Sequence, residues 1–396
     1  MNIKEQIRTL SNEYFSETVE IRRHIHKHPE LSFQEYNTSK YVQETLTRYG
    51  IPFKAGYVKT GIVAKIEGAN PDGKVIALRA DMDALPIQEE TGLEFQSIND
   101  GVMHACGHDM HTAALLGAAK ILNATKDEWN GTVLLVFQPG EEVDPGGARL
   151  MLQEGIFNEI KPDLIVGQHV LQEMETGHVG FKSGMYMASG DEIHITISGK
   201  GGHAAMPHTL TDTVLTTSQV IINLQQIVSR IIPAGIPAVL SFGRIIADGA
   251  TNIIPEKVQI SGTLRIMNEE WRDKAKNKIK EIVHNTVKSM GTKADIDIKD
   301  GYPVVFNDIE ATRNAMSAAQ HLWGEENVEE IDIRMTAEDF GFYSLEYPSL
   351  FYRFGVKSDN EETGRVHTPT FRPDEKALKM ATGTMAMIAV DFLKNS

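Results

Sequence analysis

Residues 104–111 read HACGHDMH and hold the chain's single cysteine, Cys106, two positions before the imidazole of His108. A lone thiol cannot close an intramolecular disulfide, which leaves three readings: a buried apolar filler, a nucleophile or a metal ligand. Behind this stretch, TAALLGAAKIL has the alanine and leucine content of a buried helix. The thiol therefore stands at a helix start, where backbone N–H groups and the helix dipole favour an anion. Other acidic and histidine residues end apolar runs: Asp81 after KVIALRA, Glu141 and Glu142 after TVLLVFQPG, His169 after DLIVGQ. Thiolate, imidazole and carboxylate together form the donor set of a borderline divalent cation.

The chemistry such a set serves is hydrolysis of an amide. The amide carbonyl is a poor electrophile, and a bound metal both polarises it and lowers the pKa of water. A two-metal site needs about five protein donors, one of them able to bridge, and a carboxylate outside the metal shell to carry the proton. Cys106, His108, Glu142, His169 and His367 are the candidate donors, and Glu141 is the candidate shuttle. Each piece has a plainer reading. A Glu-Glu pair in a loop is ordinarily solvated charge, and His169 could be a satisfied core histidine. His367 sits in a common His-Thr-Pro loop with little local support. His24 and His28 are one turn apart, but Pro29 follows and no carboxylate partner is evident, so the HIHKHPELSF segment reads as structural.

At 396 residues the chain exceeds the usual single core, so two domains are expected. Its net charge of -15 and lack of basic runs argue against a nucleic-acid partner. MNIKEQIRTLSNEYF lacks the apolar stretch of a signal peptide, and no run is long enough to span a bilayer. One cysteine points to a reducing cytoplasm.

The elements that must position these residues can be read in order. An amphipathic helix over Ile3 to His26 and a second from about Glu35 to Tyr49 precede short continuous apolar strands that alternate with helices. That pattern predicts an α/β domain, with a mainly parallel sheet covered by helices on both faces. Ligands of such sheets bind beyond the carboxyl ends of the strands, where Asp81, Glu141, Glu142 and His169 are expected. From about Gly184 the grammar changes to alternating strands in the order βαββαβ, with a helix over Asp212 to Ile232. This is a ferredoxin-like insertion. The reading gives a catalytic domain of residues 1–183 and 301–396 and an inserted lid of 184–300.

The ordered motifs RADMDALP, HACGHDMH, QPGEE, GQH, GKGGHAAMPH, TNIIP and HTPTF resemble the M20 metallopeptidase family, and more narrowly its amidohydrolase branch of aminoacylases, hippurate hydrolases and indole-3-acetyl-amino acid hydrolases. The resemblance implies two divalent metal ions, Zn, Mn, Co or Ni, held by Cys106, His108, Glu142, His169 and His367, with Glu141 as general base. It implies that Asp81 orients a ligand, although Arg79 replaces the histidine usual two residues earlier. It further implies that His203 stabilises the developing oxyanion and that Asn252 and Arg265 hold the substrate carboxylate. A homodimer formed through the lid is also implied. The expected activity is hydrolysis of N-acyl-L-amino acids. A dipeptidase or carboxypeptidase of the same chemistry is the alternative. A metal-binding sensor or scaffold without activity is a third, against which intact Glu141 and His203 speak.

Overall fold

The computed structural model describes residues 2–359 and 362–394. The chain forms two compact units, one of Met1–Gly184, Phe306–Asp332 and Phe342–Ser396, the other of Met185–Val305 and Ile333–Gly341. Among the described residues no helix is long and apolar enough to cross a membrane.

The first unit is built on an eight-stranded sheet, in the order Phe53–Tyr57, Gly61–Glu67, Thr132–Gln138, Val75–Asp81, Leu164–Glu175, Ser349–Lys357, Val179–Phe181, Val328–Glu330. The four strands from Thr132–Gln138 to Ser349–Lys357 run parallel. Antiparallel pairs flank them on both sides. Thr132–Gln138 is buried along its whole length, as a strand covered on both faces must be. The helix His108–Ala124 is buried for most of its length and packs against Phe15–Lys27 and Ala377–Lys394.

Two expectations shift. The opening helix is two helices, Ile3–Glu13 and Phe15–Lys27, parted at Tyr14. The DLIVGQ strand does not end at His169 but continues to Glu175. The reason is unequal pairing on its two sides: the register with Val75–Asp81 stops at Arg79 opposite Gly167, while Ser349–Lys357 pairs onward with Arg353 opposite His169. His169 therefore stands where pairing to one neighbour has stopped and pairing to the other continues.

The HIHKHPELSF histidines are structural, but His26 does have carboxylate partners, supplied from distant segments. Asp109 Oδ2 accepts from Arg22 Nε at 2.7 Å and lies 2.8 Å from His26 Nδ1, and Glu89 Oε1 lies 3.1 Å from His26 Nε2. His24 stacks on Tyr41 with ring centroids 3.9 Å apart, and its carbonyl accepts from His28 Nδ1 at 2.7 Å. Burial and the Arg22 guanidinium push the His26 imidazolium down, but Asp109 and Glu89 outweigh them and hold it above the ordinary 6.5.

In the second unit, strands Asp191–Ser198, Ala238–Ala247, Lys257–Ile266 and Lys293–Asp300 alternate with helices Thr213–Leu224 and Glu269–Ser289. Every neighbouring pair is antiparallel, in the order 238–247, 257–266, 191–198, 293–300. This is the βαββαβ ferredoxin-like arrangement. Ile193, Ile195 and Ile197 bury one face of the first strand against Val220, Leu224, Ile279 and Val283 of the helices. The helix expected to reach Ile232 ends at Leu224 and gives way to a π-helical turn, Ile227–Ile231. Pro233 explains the stop, because it forces Ile232 into extended backbone.

Arg22→Met, which leaves Asp109 without its guanidinium in a site exposed by 1 % or less, should cost about 3–5 kcal/mol, read from the urea unfolding midpoint. An unchanged midpoint would remove the ion pair from the fold's supports. Because His26 titrates higher folded than unfolded, its contribution is complete below pH 6.5 and fades as pH rises through the raised value. His26→Gln should accordingly flatten the loss of stability on the alkaline side in a pH series of unfolding curves.

Candidate metal centre

The donors are fixed by backbone at least as much as by packing. Gly107 opens the helix at φ +87°, and a Cβ there would meet Val170 at 2.9 Å. A glycine at this point lets Cys106 and His108 approach the strand that carries His169. His367, at φ +61°, is tied back to the same loop by its N–H, which donates to the Ala105 carbonyl at 2.7 Å. His108 Nδ1 donates to the Asp83 carbonyl at 2.9 Å and lies 3.2 Å from Asp83 Oδ1. Asp83 Oδ2 accepts from Ser32 Oγ at 2.6 Å and from the Glu142 N–H at 3.0 Å. His169 Nδ1 donates to the Val170 carbonyl at 2.9 Å, which aims its Nε2 inward.

Cys106 Sγ lies 3.4 Å from His169 Nε2 and 3.3 Å from His367 Nε2. Glu142 Oε1 is 3.3 Å from His367 Nε2 and 3.9 Å from His108 Nε2, and Glu141 Oε2 is 4.0 Å from His108 Nε2. Three triads result among these residues, Cys106–His108–His169, Cys106–Glu142–His367 and His108–Glu141–Glu142, each with donor atoms within 4.8 Å of one another. Cys106 belongs to the first two. His108 Nε2 and Glu142 Oε1 are buried with no hydrogen-bond partner, a rare and costly state for buried polar atoms. Unpaired nitrogen and oxygen facing a thiol and two further imidazoles fit a borderline divalent cation.

The electrostatics lead to the same conclusion. The Cys106 sulfur and the Glu142 carboxylate beside it push the His367 imidazole up to about 10. Burial opposes charge on His108, but Asp81 and Cys106 outweigh it and hold its imidazole well above the ordinary 6.5. Protons on these rings therefore supply positive charge where a cation would. The Cys106 thiol does not gain the thiolate character its helix start predicted. Burial, with the Glu142 carboxylate beside it, pushes it up from 9.0. Only a nearby cation would reverse that.

Asp81 hydrogen-bonds His111 Nδ1 at 2.6 Å and Arg79 at 2.6 Å, and its nearest approach to His108 Nε2 is 3.8 Å. The hydrogen bonds that orient His108 come from Asp83 instead. The only signal for Asp83 in the sequence was its place two residues after Asp81, on the same face of an extended segment. His111 is no candidate donor, because its Nε2 accepts from the Val170 N–H at 3.0 Å. His203, Asn252 and Arg265 belong to the other unit. There a short antiparallel pair sets Ile253 opposite His203, and the Ala204 N–H donates to the Asn252 carbonyl at 2.9 Å, so the two candidates adjoin. Arg265 is half-buried on the strand Lys257–Ile266 and donates to Thr263 Oγ1 and to the Leu264 carbonyl.

A parallel sheet with a cluster of this kind at its carboxyl edge is the build of a metallohydrolase. Residues 77–391 match the Peptidase family M20/M25/M40 model, and the chain belongs to that family; it is a hydrolase. It is 43% identical to the N-acyl-L-amino acid amidohydrolase of Geobacillus stearothermophilus over 304 residues, 77% of this chain and 81% of that protein. It is 37% identical to thermostable carboxypeptidase 1 of Saccharolobus solfataricus, covering 99% of each chain. The crystal structure of a Bacillus subtilis protein described as a dinuclear metal binding peptidase from the M20 family superposes with a TM-score of 0.83 at 34% identity, over 97% of this chain and 100% of that one.

Asp83→Ala should weaken affinity for divalent cations by about 10–100-fold, since it frees the Glu142 amide and leaves His108 Nδ1 with the backbone carbonyl alone. Calorimetric titration of the metal-free protein measures this, and an unchanged affinity would deny Asp83 that role.

Proposed function

We propose that the chain removes the acyl group from N-acyl-L-amino acids, using two divalent cations of the Zn, Mn, Co or Ni kind. The observation that carries this reading is the sharing of Cys106 between two donor triads, with the Glu141 carboxylate at their margin. Bound cations supply Lewis acidity, polarising the amide carbonyl and lowering the pKa of water. Cys106, His108, Glu142, His169 and His367 hold them. Glu141 takes the proton of the attacking water and returns it to the departing nitrogen, so one carboxylate serves as base and then as acid. His203 stabilises the oxyanion, and Asn252 with Arg265 receives the substrate carboxylate, for which a guanidinium fork is suited. Asp83, with Asp81 behind it, keeps the metal-facing side chains in place.

A carboxypeptidase acting on peptides is the second reading, favoured by the relative of that name that matches over 99% of both chains. The chemistry is common to both, and cleavage rates on acetyl- or benzoyl-amino acids against dipeptides separate them. The setting we propose is the cytoplasm, in keeping with a lone cysteine. A homodimer would form through the lid, where the long edge strand Ala238–Ala247 exposes Val239, Ile245 and Ile246.

Glu141→Gln should keep its metal complement by elemental analysis and lose at least about 100-fold in turnover. Near-normal turnover would take Glu141 out of the mechanism.

A further inference from the structure

The HPELSF segment, left without a role by the chemistry above, runs directly beneath the loop that carries Glu141 and Glu142. Gly140 leaves the strand Thr132–Gln138 in the left-handed region at φ +61°, and a Cβ there would lie 2.3 Å from the Phe33 ring. Phe33 is itself left-handed at φ +64°, an uncommon state for an aromatic residue. One side chain holds both residues. Glu35 is completely buried, and its Oε1 accepts from the Gly140 N–H at 2.9 Å and from the Phe33 N–H at 2.7 Å. Its Oε2 accepts from Thr60 Oγ1 at 2.7 Å. Three segments distant in sequence thus meet on one carboxyl group, two residues before the donor Glu142. Glu35 spends its oxygens on Phe33, Gly140 and Thr60, so what it does for the site passes through the Gly140 turn.

We infer that Glu35 is a positioning residue: by pinning the amides of Phe33 and Gly140 it sets the turn that presents Glu142 to the cation and Glu141 to its margin. Two buried amide donors require acceptors wherever the turn goes, and this carboxyl group supplies them in one geometry only. Released from it, Gly140 regains part of the freedom of a glycine, and the loop loses one of its ties, leaving Asp83 at the Glu142 N–H and the Gly147 N–H at the Gly140 carbonyl. Burial, together with the Asp83 carboxylate, pushes the Glu35 carboxyl up to about 7. A neutral amide should therefore stand in for it well. The inference rests on the dinuclear reading proposed above.

The test is calorimetric titration of the metal-free full chain with Mn²⁺ and with Zn²⁺, beside circular dichroism to confirm folding. Glu35→Leu keeps the volume and removes both acceptors, and it should lose about 10–100-fold in affinity for one of the two ions. Glu35→Gln, which retains an accepting oxygen, should stay within about threefold of the parent, a 1.4 kcal/mol change being tenfold. If Glu35→Leu does not fold, Glu35→Asp carries the test, since the shorter side chain cannot span Thr60 and Gly140 together and should show the same loss. Parent-like metal affinity in the folded leucine or aspartate variant, with only thermal stability reduced, overturns the positioning role. Equal loss in the glutamine and leucine variants overturns it as well. A parent chain that takes up neither ion overturns the dinuclear reading instead.

Discussion

The acids Glu141 and Glu142, the thiol of Cys106 and the imidazoles of His108 and His169 share one largely buried volume, with the exposed ring of His367 at its edge, and they can do so only with positive charge among them. Removing an anion from water without a partner is among the largest costs a fold can meet. Without a cation the molecule meets it with protons, which explains why the imidazoles of His108 and His367 are both held above their ordinary value. His169 goes the other way: burial and the neighbouring Arg353 hold its imidazole well below 6.5, so it presents a neutral ring nitrogen. A divalent cation that displaces the protons satisfies the same anions and also the two orphaned atoms, His108 Nε2 and Glu142 Oε1. The cluster is thus a site whose donors are complete only with a cation, and the rest of the unit can be understood as the frame that prevents those donors from moving apart.

That frame depends on where strands stop. Pairing of Val75–Asp81 with the strand of His169 stops at Arg79 opposite Gly167, and the helix His108–Ala124 starts beside this carboxyl edge. Asp83 lies just past that strand end and joins His108 to the Glu142 amide. On the far side of the helix, Asp109 is locked to Arg22 and His26. One turn of helix therefore sends His108 into the cluster and Asp109 into a buried ion pair, so the first turn is anchored from two directions. Rigidity of this kind matters for a site of several ligands, because a side chain free to turn away contributes little affinity.

Much of this was legible in the sequence, for physical reasons. Continuous apolar runs such as TVLLVFQ can only be doubly covered strands, and their alternation with helices requires a parallel centre. The change to a period of two in EIHITIS marked the second unit just as directly. The candidate donors were legible because Glu142 and His169 follow such runs, while Cys106 and His108 open a buried helix. Less visible were features set by long-range pairing. The strands Phe53–Tyr57, Val179–Phe181 and Val328–Glu330 are short and marginal, and they exist because a neighbour offers an edge. His169 could not be placed mid-strand from its own segment, since the partner that prolongs the strand, Ser349–Lys357, lies 180 residues later. Asp83, Ser32 and Glu35 carry no motif chemistry of their own. Their roles come from hydrogen bonds to residues 25 to 105 positions away, and local pattern does not report those.

The identity of the shared donor has a consequence for which cations such a cluster favours. Cys106 stands in two of the triads, each of which also holds imidazole nitrogen. Magnesium and calcium take shells of oxygen and gain little from either donor, whereas the borderline cations gain from both. Coordination would also resolve the unfavourable state of Cys106 itself. A thiol that burial and Glu142 push up would become a thiolate beside a divalent cation.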